Sequence, residues 1–178
     1  MTTPVAPPRV PGRVVLAVDP SAPSRHAVTW AARQALVTVA DDVALVSVVP
    51  SPPLAPLSPG VGITSVGLKE YDAEFKASKE AHRAVLQSVY LDLLQSGHVA
   101  PDKCQRVLLD GDGAGGSSVG DPLINYAREH QATHLVVGSR GLSAFKRGMY
   151  ALIGLGSVSD HIVRHAPCAV TVVPMGEQ

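Results

Sequence analysis

Five short runs of β-branched and aliphatic residues constrain the fold most: Arg13 to Val18, Val43 to Val49, Gln105 to Leu109, His134 to Val137 and Cys168 to Val173. Most are apolar at nearly every position, the pattern of strands covered on both faces. Between them lie stretches with helical spacing. Ala27, Val28, Ala31, Ala32, Ala35 and Leu36 make a narrow small-residue face, with Trp30 at its edge. Lys69 to Ser96 forms a long helix with Tyr71, Phe75, Ala81, Val85, Val89 and Leu93 on one side and Gly97 as its C-cap. Asp121 as N-cap and Pro122 at the first helical position open a third helix. A fourth starts at Ser157 to Asp160. The order β-α-β-α-β-α-β-α-β predicts an α/β, Rossmann-like open parallel sheet with helices on both faces. The third run is the most polar and is expected near an edge.

Residues 1–12 carry four prolines and are expected to be disordered, leaving one domain over 13–178. A hydrophobic content of 46% supplies a core without disulfides, and the two cysteines, Cys104 and Cys168, read as free thiols. Formal charge is +0 and aromatics are sparse, which argues against a nucleic-acid groove. No run approaches a membrane span and no signal core is seen, so a soluble cytoplasmic protein is expected.

Two glycine-bearing stretches invite a phosphate reading. Gly111 to Ser118 contains Gly-x-Gly-x-x-Gly, but the lysine of a P-loop is replaced by Ser117 and no acidic residue follows a second strand; a linker is the simpler reading. The second stretch is stronger. His134 to Val137 stops at Gly138-Ser139-Arg140-Gly141, and Gly156-Ser157-Val158-Ser159 opens a helix. An anion held there gains backbone N–H bonds and the helix dipole, although glycines also serve ordinary βα turns.

Together with His165-Ala166-Pro167-Cys168 and the following Val-rich run, these residues resemble the C-terminal signature of the universal stress protein family, in its ATP-binding subgroup. That subgroup places nine residues between Gly-x-x-Gly and Gly-Ser; here fourteen separate Gly141 from Gly156, with the mostly apolar surplus in Gly148 to Gly154. The surplus is a lid, a subunit patch or a tolerated insertion.

The resemblance implies strand order 3-2-1-4-5 and a homodimer through Cys168 to Val173. It also implies a site for ATP or AMP, with Mg²⁺ accompanying ATP. Adenine and ribose would lie near Ala17, Val18, Asp19 and Val48, and the phosphates along Val137, Gly138, Arg140, Gly141, Gly156, Ser157, Val158 and Ser159. Asp19 either bonds ribose or approaches a metal through water, or else caps the turn at Pro20-Ser21. No catalytic residue or metal site is expected: His161 and His165 lack a third ligand, and no base accompanies Ser157 or Ser159. The expected function is a nucleotide-dependent dimeric stress-response regulator, at most a slow ATPase. The alternative is a dimeric interaction module with a degenerate site. A nucleotide-cleaving or AMP-transferring enzyme is disfavoured, because Asp19 to Ser24 replaces that class's Ser-Gly-Gly-x-Asp-Ser pattern.

Overall fold

Each apolar run becomes a strand with both faces covered, as a computed structural model describing residues 12–51, 65–111, 119–139 and 157–175 shows. The strands are β1 (Arg13–Ala17), β2 (Asp42–Val49), β3 (Cys104–Asp110), β4 (Ala132–Gly138) and β5 (Ala169–Val173). The helices are α1 (Ala22–Arg33), α2 (Leu36–Val39), α3 (Ser65–Gln95), α4 (Gly120–Glu129) and α5 (Ser157–His165), with a 3₁₀ turn at Pro101–Lys103. All pairings are parallel and the order is β3-β2-β1-β4-β5. The Pro-rich N-terminus, the loop after Ser51, the Gly-rich stretch after Gly111 and the insertion at 148–154 lie outside the described residues.

Alternation along the strands feeds two cores. Val14, Leu16, Val43, Leu45 and Val136 point toward α1 and α3, whereas Val15, Ala44, Val46, Leu135 and Val137 point toward α4 and α5. Helices therefore cover both faces. β3 and β5 are the edges, and β3 carries exposed Gln105, Arg106 and Asp110.

Local chemistry accounts for the start of α1 and the end of α3. Ser21 caps α1 by accepting from the Ser24 amide, with Pro23 within the first turn. The small-residue face does not run on to Leu36 as one helix, because Ala35 adopts φ 61° and restarts the chain as α2. At the end of α3, the amides of Gly97 and His98 bond to the carbonyls of Leu94 and Leu93, a Schellman closure with Gly97 at φ 70°. α4 begins two residues earlier than its sequence suggests, at Gly120 rather than Pro122. Val119 stands at the cap with no side-chain bond, while Asp121 pairs with His161 at 2.6 Å.

α3 is 31 residues long, about 46 Å at the helical rise, against about 26 Å for a strand the length of β2. It overshoots the sheet. Its buried residues are His82, Val85, Leu86, Val89 and Leu93, while between Tyr71 and Ala81 no residue is buried. Ala81, expected on the packed face, is exposed, and His82 takes that place. Tyr71 and Phe75 are half-buried and stack on each other. Lys79 lies 4.4 Å from the Phe75 ring centre and 2.9 Å from Asp110, tying this stretch to the end of β3.

Candidate functional site

The order reverses between β1 and β4, so a crevice opens at their C-terminal ends. In right-handed parallel crossovers the helix following each strand starts at that same end. Asp19, Gly138 and the first turns of α1 and α5 therefore share one edge of the molecule.

Asp19 leaves β1 in a tightly specified turn. Its Oδ1 accepts from the Ser21 amide at 2.9 Å and from the Ser21 hydroxyl, so it does cap the turn at Pro20-Ser21. Oδ2 has no hydrogen bond from any described residue. The peptide that joins Val18 to Asp19 is held at both ends. Its carbonyl accepts from Ser47 Oγ at 2.5 Å, and its N–H donates to Ser24 Oγ at 2.9 Å. Ser47 is 1% exposed and Ser24 5% exposed, so water does not compete for these bonds. Behind Ser47 stands His82, with Nδ1 at 2.7 Å from the same hydroxyl. Burial lowers the His82 pKa, and the charge of Asp19 opposes that shift in part.

The other predicted contacts fall into groups. Ala17 is half-buried, and Val18, Val48 and Val137 are buried with their side chains in the cores. These valines have only backbone to offer a ligand. The Val18 amide already donates to Val46 at 2.9 Å. Gly138 does end β4, but the space beside it belongs to α1. A Cβ there would sit 2.6 Å from the Pro23 carbonyl oxygen, so its bare backbone serves helix packing. Ser139 follows, buried, its amide bonded to the Val173 carbonyl at 2.9 Å. In the first turn of α5, Ser157 is exposed, Val158 half-buried and Ser159 buried. Arg140, Gly141 and Gly156 lie outside the described residues.

Ser24, Ser47 and His82 were not singled out by sequence. His82 had one signal: it stands three and seven residues before Val85 and Val89, on the buried stripe. Ser47 interrupts an otherwise apolar strand, a spacing that by itself names no partner.

Several alternatives are weaker. His165 Nδ1 bonds the His161 carbonyl at 2.8 Å and so finishes α5. Among the described residues no three His, Cys, Asp or Glu side chains gather as a metal site. Cys104 and Cys168 are free; burial pushes the Cys104 thiol up to about 11 and raises Cys168 as well, so neither is primed as a nucleophile. A cavity of about 300 Å³ lined by Val37, Gly97, His98 and Lys103 lies at the opposite edge, where the strands begin. No described helix is long and apolar enough to cross a membrane.

Comparison with known proteins agrees with this architecture. A universal stress protein family protein from Burkholderia pseudomallei is similar at 23% identity, covering 92% of this chain and 96% of its own, with a TM-score of 0.62. The universal stress protein UspA from Lactobacillus plantarum matches at 22% identity over 91% and 97%, with a TM-score of 0.55. A family protein from Arabidopsis thaliana, solved with AMP bound, matches at 19% identity over 93% of both chains, with a TM-score of 0.57. No curated relative matches the chain. The family model itself covers residues 12–174, and with the 3-2-1-4-5 sheet it places this chain in the universal stress protein family.

Proposed function

We propose that the chain binds an adenine nucleotide, AMP or ATP, at the β1/β4 reversal and acts as a homodimeric, nucleotide-dependent stress-response regulator in the cytoplasm, with at most slow ATP hydrolysis. One observation carries the reading. Asp19 stands at the reversal with both its hydrogen bonds drawn to Oδ1, leaving Oδ2 available among the described residues for a ribose hydroxyl. The AMP-bound Arabidopsis relative supports the choice of ligand.

In this reading the base and ribose lie against Ala17, Val18, Asp19 and Val48. The phosphates lie beyond Val137 and Gly138, against Arg140, Gly141, Gly156 and the α5 turn Ser157-Val158-Ser159. Amides of a helix first turn and the dipole behind them favour an anion there. Mg²⁺ would come with ATP, held mainly by phosphates and water, since Asp19 alone is no cage. The dimer forms through β5, whose edge offers half-buried Val170, Thr171 and Val172 to a second copy.

Isothermal titration of nucleotide-free protein tests this. Saturable binding of AMP and Mg²⁺-ATP but not GTP is expected, weakened at least tenfold by Ser157→Asp and unchanged by Gly113→Asp. An acidic residue at a helix N-terminus favours the helix, so the loss reports phosphate repulsion, not unfolding. The fourteen residues between Gly141 and Gly156 favour one rival, a dimeric interaction module with a degenerate site. A folded dimer that binds no nucleotide selects it.

A further inference from the structure

The peptide entering Asp19 has an unusual degree of support. Ser47 owns one hydroxyl proton, and a carbonyl cannot donate, so the 2.5 Å contact from Ser47 Oγ to the Val18 oxygen consumes that proton. The 2.7 Å contact between Ser47 Oγ and His82 Nδ1 then has only one arrangement: Nδ1 carries hydrogen and donates to the hydroxyl oxygen. A directed chain results, from His82 N–H to Ser47 O–H to the Val18 carbonyl. Receiving a bond from His82 aims the Ser47 proton at Val18 and polarises it. On the opposite side, the Asp19 amide is fixed by Ser24. The Val18–Asp19 peptide plane cannot turn without breaking a buried bond, and rotation of that plane is what would swing the Asp19 carboxylate out of the crevice.

His82 also marks a boundary on α3. It is the first buried residue after the stretch from Tyr71 to Ala81 in which none is buried. The chain of bonds thus fastens the helix, at the point where it parts from the sheet, to the tip of β1.

We infer that His82 is a positioning residue of the nucleotide site: acting through Ser47, it fixes the Val18–Asp19 peptide and thereby aims Asp19 at the nucleotide ribose. This role rests on the adenine-nucleotide reading above. His82 touches no ligand itself. Packing alone would ask only for a residue of this size, and leucine would serve. The positioning role asks for a donor where Nδ1 stands, which asparagine supplies and leucine does not.

The test is AMP titration of wild-type protein, His82→Leu, His82→Asn, Ser47→Ala and the double variant His82→Leu/Ser47→Ala, each confirmed folded by circular dichroism. The expected result is AMP binding weakened about tenfold in His82→Leu and in Ser47→Ala, and within about threefold of wild type in His82→Asn. The double variant should be no weaker than the worse single one, because both break the same chain. Exchange of the Asp19 amide with solvent should quicken in His82→Leu and return toward the wild-type rate in His82→Asn. Should His82→Leu fail to fold, Ser47→Ala carries the comparison. Wild-type affinity in a folded His82→Leu or Ser47→Ala, or losses that simply add in the double variant, would overturn the positioning role while leaving the nucleotide site standing. Absence of saturable AMP binding by wild type would overturn the nucleotide reading and this role with it.

Discussion

Gly138 shows how one residue can carry a packing constraint beyond the role its sequence position suggests. Its position at the end of an apolar strand marks it in the sequence as a place where backbone nears a phosphate, yet the atom that crowds it is the Pro23 carbonyl oxygen of the α1 turn. Gly138→Ala therefore tests packing. A Cβ 2.6 Å from backbone oxygen forces α1 to shift, and urea denaturation should show a loss of about 1–3 kcal/mol. An unchanged midpoint would mean that α1 moves freely. Asp19 was legible from its place after β1, and both roles open to it survive because it has two oxygens. Ser24, Ser47 and His82 were not legible. Their function arises from contacts between β1, α1, β2 and α3, and no spacing within one element encodes a hydrogen bond to another.

At the scale of elements, the sequence reports strands well because burial on both faces leaves a nearly continuous apolar run, as in Val43 to Val49, broken only by Ser47. It reports helix boundaries less well. Ala35 breaks α1 from α2 through a left-handed backbone that alanine does not advertise, and Asp121, expected as the cap of α4, lies inside that helix and pairs with His161. Burial also sets a pH dependence. His82, beneath the β1 tip, and His134, which bonds Thr171 across β4 and β5 at 2.7 Å, both have pKa values lowered by desolvation from the ordinary 6.5. The unfolded chain therefore binds more protons than the folded one as the pH falls below about 6.5. The stabilisation from keeping these rings neutral is complete above that value and drains away as pH falls toward the folded values. Urea midpoints at pH 7.5 and pH 5 should differ in that direction, and by less in His82→Asn. Equal midpoints would show that neither ring resists protonation in the fold.

For the whole molecule, the parallel sheet, its order and its two covered faces follow from alternation of strand and helix plus one family resemblance; the structure shows that sheet in that order, and the family model matches the family. The phosphate side of the site stays at the level of sequence, because Arg140, Gly141 and Gly156 lie outside the described residues. Assembly makes its own prediction. Sedimentation at tens of micromolar should give twice the 18.5 kDa chain mass, and Ala169→Asp, at an exposed position of β5, should yield folded monomer. A wild-type monomer would remove the β5 dimer. The central claim, an adenine nucleotide at the β1/β4 reversal, is tested most directly by following backbone amides in ¹H–¹⁵N spectra of nucleotide-free protein titrated with AMP. The account predicts saturable shifts at Asp19, Gly138, Ser139 and Ser157 to Asp160, with Gly97, Val99 and Lys103 at the opposite edge unmoved. Shifts confined to that opposite edge, or none at all in a folded protein, would contradict it.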